Sequence, residues 1–257
     1  MRYQFGETDI AAERLKVLAA VYAASTRGFL GAAVTTRPEL AVDVGCGPGY
    51  TTHLLADVLG CERVIGLDNA AHFIALARQT ETACVSFVQH DVTAVPFPVE
   101  AGELLYARLV LAHLRDPAAV LAVWATQLRP QGLLLLEEVE WIHTNSAVFT
   151  TYLDIVVALL AQQSTNMYAG QDLHALPDPA LLTRRSSQVR QVAVTSVQAA
   201  TMFFLNMQTW KQLSFIQTQY PATLLKQLED DLRWLVETPQ ATADIEWGMR
   251  QLVYERR

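Results

Sequence analysis

The run Val42-Asp43-Val44-Gly45-Cys46-Gly47-Pro48-Gly49-Tyr50-Thr51-Thr52 holds three glycines at alternate positions, after a β-rich segment and before a helical one. Lacking a Cβ, glycines at this spacing allow a tight turn or the close approach of a ligand to the backbone. The dinucleotide fingerprint G-x-G-x-x-G sets a pyrophosphate on a helix N-terminus, but Tyr50 stands where its last glycine is needed. The phosphate-loop pattern fails as well, because no Lys follows Gly49. Around the loop stand carboxylates: Asp43 just before it, Asp68 at the end of the next strand, and Asp91 at the end of the third. Carboxylates accept hydrogen bonds and attract cations, so a ligand with a ribose, a base and a cationic group suits them. One with a pyrophosphate does not.

The elements that position these groups follow from patterning. Apolar residues at Ile10, Leu15, Leu18, Ala19 and Tyr22 recur at helical steps, predicting a helix over about 9–24. Short apolar strands are expected at 40–44, 63–67, 85–89 and 133–136, with a weaker one at 103–108. Helices are expected between them at 51–59, 70–79 and 118–128, the last closed by Arg129-Pro130-Gln131-Gly132. Strands that are apolar throughout suit a parallel sheet covered on both faces. After Glu140 the pattern becomes mainly helical. A helix is expected at 152–163, a polar loop after it, and a short helix opening at Asp178-Pro179. A strand is expected at 189–197 and a last strand at 245–256, with helices between them broken near Tyr220-Pro221. The division is a core over 38–145, a helical cover over 146–188 and 198–243, and the two late strands.

This pattern resembles the class I S-adenosylmethionine-dependent methyltransferases. The resemblance is carried by residues 42–52, 64–69, 90–92, 106–117 and 133–138. It implies an α/β fold, a Rossmann-like seven-stranded, mostly parallel sheet with helices on both faces, a reversed last strand and a helical insertion near the C-terminus. It also implies S-adenosyl-L-methionine as cofactor and S-adenosyl-L-homocysteine as product. By resemblance, Asp43 helps position the methionine ammonium, and Gly45, Cys46, Gly47 and Gly49 form the loop under the cofactor. Asp68 binds the ribose with Asn69 beside the adenine, and Asp91 accepts from the adenine amino group with Val92 packed nearby. The backbone carbonyl of Arg108 or Ala107 faces the sulfonium end. The stretch 109–117 is similar to the ubiquinone/menaquinone-type, small-molecule branch.

Methyl transfer is an in-line displacement, so alignment and exclusion of water carry much of it. A base is needed only where the acceptor must lose a proton. His113 and Glu138 are the candidates for that role, each competing with a structural reading as a buried or paired side chain. Trp141 and His143 follow the fifth strand and are candidates to line the acceptor pocket. Phe203 and Met207 lie in a Met- and aromatic-rich stretch, either helical core or an adaptable wall for an organic acceptor. His174 reads as an exposed loop residue, and Cys46 as a small apolar filler. The implied activity is methylation of O, N or C of a small organic metabolite. A cyclisation or other rearrangement on the same scaffold is the alternative that residue patterns leave open.

The 257 residues carry 19 basic and 26 acidic side chains, a net charge of −7. The stretch after Glu140 is nearly neutral, which favours a neutral or apolar acceptor over a polyanion. No basic patch argues for nucleic acid. Apolar runs fall short of the roughly 20 residues that span a membrane. The start, Met1 to Glu7, lacks the apolar stretch of a secretory leader. Cys46, Cys61 and Cys84 form no metal-ligand spacing, so no metal is expected, and they read as reduced thiols. A cytoplasmic location follows from these readings, and the oligomeric state stays open.

Overall fold

In the computed structural model, residues 6–238, 240 and 243–257 are described, and the leader reading at Met1–Phe5 lies outside them. The chain opens with helix α1 (Asp9–Ala33), whose N-cap Thr8 accepts from the Ala11 N–H at 3.3 Å. Strands and helices then alternate: β1 (Leu40–Val44), α2 (Tyr50–Leu59), β2 (Arg63–Asp68), α3 (Ala71–Arg78), β3 (Val85–Gln89) and β4 (Gly102–Arg108). A single 3-10 turn at Leu111–His113 leads to α4 (Pro117–Ala125). Asp116 caps α4 by accepting from the Ala119 N–H at 3.0 Å, and Pro117 fills the first turn, where a missing N–H costs nothing. The long strand β5 (Leu128–Thr144) is followed by α5 (Ala147–Ala161), α6 (Ala169–Ala175), β6 (Leu182–Val192), α7 (Ser196–Trp210), α8 (Ser214–Gln219), α9 (Ala222–Glu237) and β7 (Ile245–Arg256).

The seven strands form one sheet in the order β3-β2-β1-β4-β5-β7-β6. The first five in that order run parallel, and β7 is antiparallel to both of its neighbours. Alternate residues of the central strands face opposite layers. Ala41, Val64, Leu104, Tyr106 and Leu135 pack under α1, α2 and α3. Val42, Ile65, Leu105, Ala107 and Leu136 pack under α4 and α6. All five residues of β1 are buried, as a strand covered on both faces requires. A further apolar cluster joins Tyr22 of α1 to α5, α7, α8, α9 and the start of β7. The order of strands reverses between β1 and β4, the place where open α/β sheets form a ligand crevice beyond the strands' carboxyl ends.

Several boundaries differ from the sequence reading for identifiable reasons. The strand expected at 189–197 runs instead from Leu182 to Val192, so residues 182–188 leave the helical cover and residues 196–197 open α7. Thr183 to Gln188 are all polar and give no apolar period; backbone pairing with β7 fixes this edge strand. The helix expected at Asp178-Pro179 is a turn, with Leu182 N–H on the Pro179 carbonyl and Arg184 N–H on Asp178 Oδ2, both at 2.9 Å. The polar loop before it contains α6. The Pro-Gly signal at 129–132 bends β5 rather than ending a helix, with Gln131 at a φ of 64° and a register shift against β4. The break at Tyr220-Pro221 is present, with Pro221 at the N-cap of α9.

Candidate functional site

The loop from β1 to α2 is held by two backbone N–H groups, of Gly45 and Cys46, both donating to the Leu67 carbonyl at 2.7 and 3.0 Å. Gly45 has a φ of +75°, and a Cβ there would come within 2.5 Å of Val110 Cγ2. Gly49, at φ +90°, turns the chain into α2 where a Cβ would meet the Phe87 ring at 2.6 Å. Both positions therefore need glycine for conformation and for space. Gly47 N–H donates to Asp68 Oδ2 at 2.9 Å and so ties the loop to the tip of β2.

The three carboxylates have different surroundings. Asp43 is buried beneath the loop, where its Oδ2 accepts from the hydroxyls of Thr51 at 2.6 Å and Thr52 at 2.7 Å. Burial pushes its carboxyl up to about 6 against the pull of those hydroxyls. Asp68 accepts from the N–H groups of Gly47 and Ala70, the latter at 2.8 Å on Oδ1, and burial raises its pKa. Asp91, more exposed, accepts from the N–H and hydroxyl of Thr93 at 2.9 and 2.7 Å, which lower its pKa. These bonds fix each carboxylate plane and leave lone pairs on Asp68 and Asp91 for further donors. Asn69 is exposed beside Asp68, and its carbonyl takes the Gln89 amide at 3.0 Å. Val92 is buried, and its carbonyl accepts from Trp124 Nε1 at 2.8 Å.

Across the crevice, Arg108 ends β4. Its Nη1 donates to Thr26 Oγ1 at 3.1 Å, and its guanidinium lies 5.6 Å from the centre of the Tyr22 ring. Thr26 in turn donates to the buried Glu137 at 2.6 Å, as do Tyr106 at 2.6 Å and Gln251 at 2.8 Å. The neighbouring Glu138 turns to the loop after β4, where its Oε1 accepts from the N–H groups of Val110 at 2.8 Å and Leu111 at 2.7 Å. Burial pushes the Glu138 carboxyl up to about 8. That loop carries His113, whose imidazole is driven down to about 4 by burial first and by the Arg14 charge second.

These groups surround a cavity of about 750 Å³. Gly45, Cys46, Gly47, Asp68, Asn69, Asp91, Val92, Arg108, His113 and Phe203 line it. Asp43, Gly49, Glu138, Trp141, His143 and Met207 do not. Asp43 and Gly49 build the loop from below and behind. Glu138 anchors the 110–111 backbone instead of reaching into the cavity. Met207 is wholly buried in the helical layer. The burial that raises the Cys46 thiol also makes it a filler rather than a thiolate.

Trp141 and His143 stack on each other, 4.4 Å apart at 10°, on the face of the sheet away from the cavity. A bulge is the cause. Val139 pairs with Met249 but Trp141 pairs with the adjacent Gly248, so Glu140 is an extra residue in β5. The extra residue reverses the alternation and sends Ile142, not Trp141 or His143, to the side that Val139 occupies. Glu140 is itself held by the buried Arg250, whose Nε donates to its Oε2 at 2.9 Å. Sequence reasoning missed Arg14, Ile142, Tyr152, Asn206 and Trp247 as cavity residues. Leu15, Leu18 and Tyr22 were legible as the apolar period of one helix, with no site assigned to them. They form instead the cover of the cavity, with Leu15 3.6 Å from the place of a Cβ on Gly47.

Residues 42–136 match a family described as a methyltransferase domain. The trans-aconitate 2-methyltransferase of Azoarcus sp. strain BH72 is 36% identical over 96 residues, covering 37% of this chain and 37% of that protein. That of Escherichia coli strain K12 / DH10B is 34% identical over 99 residues, covering 38% of each. The match thus spans little more than a third of the length of these curated relatives. Among solved structures, a Bacillus halodurans C-125 protein described as a candidate methyltransferase aligns with a TM-score of 0.59 at 17% identity, over 91% of this chain and 98% of its own. Coclaurine N-methyltransferase, bound to N-methylheliamine and S-adenosylhomocysteine, aligns with a TM-score of 0.57 at 13% identity, over 91% of this chain and 72% of its own. At such identities the likeness is one of fold. Among the described residues no helix is long and apolar enough to cross a membrane.

Proposed function

We propose, from the premise that the core of this chain is a class I S-adenosylmethionine-dependent methyltransferase domain, that the protein methylates O, N or C of a small organic molecule. The observation that carries the reading is the cavity. One end presents Asp68 and Asp91 beside a glycine loop, and the other is an apolar chamber walled by Tyr152, Phe203 and Trp247. The donor set fits the cofactor. Gly45 and Gly49 leave no room for side chains, which keeps the loop low, and the carboxylates are already oriented by Gly47, Ala70 and Thr93.

In this reading Asp68 accepts from the ribose hydroxyls and Asp91 from the adenine amino group, with Val92 packing against the base. Asp43 acts from beneath, through the Thr51 and Thr52 hydroxyls and its charge near Arg108. S-adenosylmethionine, when bound, supplies a methyl group on an already activated sulfur. The chain must then orient the acceptor and exclude water. Leu109 and Val110, pinned through Glu137 and Glu138, form the wall between the two ends. His113 is neutral at pH 7. With a pKa near 4 it is a weak base, suited to hold a hydrogen bond more than to withdraw a proton.

Calorimetric titration with S-adenosylmethionine and with S-adenosylhomocysteine tests the reading. Both bind the wild type. Asp68→Ala weakens both by about 1–3 kcal/mol, the cost of leaving buried polar groups without their partner. Unchanged affinity in that variant removes Asp68 from the site, and no binding of either compound by folded wild type overturns the function. Release of S-adenosylhomocysteine with a methylated product separates transfer from a rearrangement that retains the methyl group.

A further inference from the structure

The apolar end of the cavity is built by β5, α5, the segment between α5 and α6, α7 and β7. Among the described residues, every one that these elements contribute to the lining is uncharged. Val139, Ile142, Val156, Leu160, Met202 and Phe203 present hydrocarbon, ring and thioether surface. The polar atoms of this wall are bonded or sealed. Asn206 Nδ2 donates to the Tyr152 hydroxyl at 2.6 Å, while Asn206 Oδ1 and Trp247 Nε1 are both buried out of contact with solvent. The rings brace one another: Phe203 stacks on Tyr152 at 4.0 Å and 13°, and Trp247 lies 6.2 Å from Phe203 at 23°.

The charged residues of the cavity come instead from α1 and from the ends of β2, β3 and β4 with the loops that follow them. Arg14 stands beside Leu15, which covers the glycine loop, and eight residues before Tyr22, about 12 Å along the helix. Tyr22 is where α1 meets the apolar wall, with its ring 5.7 Å from that of Trp247. Arg108 is engaged by the Thr26 hydroxyl and the Tyr22 ring, and its charge bears on the buried Asp43. Arg115 has Asp116 next to it before α4.

An ionised group that enters this wall sheds its water and meets no counter-ion there, whereas an apolar body gains by leaving water. We propose that the chamber selects an acceptor that carries no formal charge on a bulky apolar body, an assignment that rests on the methyltransferase reading. Carboxylates and ammonium ions built on the same body are rejected by their desolvation. Met167 and Met202 line the chamber with flexible, polarizable side chains, which adapt to bodies of different outline. The chamber therefore discriminates by charge more sharply than by shape.

The test uses the full chain saturated with S-adenosylhomocysteine and four probes at pH 7. Three share one body and differ in charge: 2-naphthylmethanol, 2-naphthoate and 2-naphthylmethylammonium. The fourth is trans-aconitate, a tricarboxylate. We expect 2-naphthylmethanol to bind at least about tenfold more tightly than each of the other three. Phe203→Ala, which removes a ring from the wall, weakens it at least about tenfold, and Ile142→Ala, a milder change at a half-buried position, weakens it severalfold. Each variant is scored only where it binds S-adenosylhomocysteine, which shows that it is folded, and the wild-type ranking needs no variant. Four outcomes overturn the proposal alone: a charged probe bound as tightly as 2-naphthylmethanol, methylation of trans-aconitate, wild-type affinity for 2-naphthylmethanol in the folded variants, or no probe bound with S-adenosylhomocysteine in place. Failure of S-adenosylhomocysteine to bind folded wild type removes the methyltransferase reading, and this one with it.

Discussion

At the scale of single residues, the most consequential feature is that adjacent glutamates do different work. Glu137 is met by three donors and joins Arg108, Thr26, Tyr106 and Gln251 into one network. Glu138 meets only backbone N–H groups through Oε1, while its Oε2 is buried with no partner. A charge there is poorly matched, so the carboxyl stays protonated up to about pH 8. The consequence has a sign. A carboxyl whose folded-state pKa lies above its unfolded value binds more protons when folded. Its contribution is complete below the unfolded pKa of about 4.3 and is lost as pH rises through about 8. The wild type should therefore lose stability between about pH 4.3 and 8 relative to Glu138→Gln. The amide keeps the acceptor for Val110 and Leu111 without a group that ionises. Melting temperatures of both proteins across that range measure the difference, and parallel curves would show that Glu138 ionises freely in the fold.

At the scale of elements, the loop after β1 depends on one contact more than on its composition. Gly45 stands where a side chain would strike Val110, and Val110 is held in place by Glu138. Gly45→Ala meets both that clash and an unfavourable φ, so the loop or the segment after β4 must shift. We expect affinity for S-adenosylhomocysteine to fall at least about tenfold, with stability lowered by about 1–3 kcal/mol. Calorimetry and denaturant unfolding check the two effects, and wild-type affinity in the variant would show that the loop yields without cost. This end of the site was legible in the sequence because local rules write it: alternate glycines, a strand before them, and acids at strand tips. The apolar end was not. Trp141 and His143 are the natural expectation from period-two alternation, and one extra residue at Glu140 sends them to the other face. The edge strand β6 was shifted for a related reason, since its pairing with β7 is made by backbone groups whatever the polarity of Thr183 to Gln188. Cavity residues on α5 and α7 share the spacing of core residues, and only packing separates the two.

At the scale of the molecule, α1 links the two ends of the cavity. Its Leu15 covers the glycine loop, its Tyr22 lies under Arg108, and its Thr26 reaches Glu137 within the sheet. The same Tyr22 ring stands 5.7 Å from Trp247, in the wall of the apolar chamber. The helix also packs against both α2 and α7. A ligand at the acidic end therefore touches surfaces whose order depends on the helical layer over the other end, so binding should stabilise the chain as one unit and not only its 42–136 core. A ligand present at a hundred times its Kd stabilises a folded protein by about 2.7 kcal/mol. For a chain of this size that raises Tm by roughly 5–10 °C. With S-adenosylhomocysteine we expect a rise of that size in a single transition, together with slower amide exchange along α1. Two separate transitions, of which only one moves with ligand, would show that the core binds alone and that α1 does not couple the two ends.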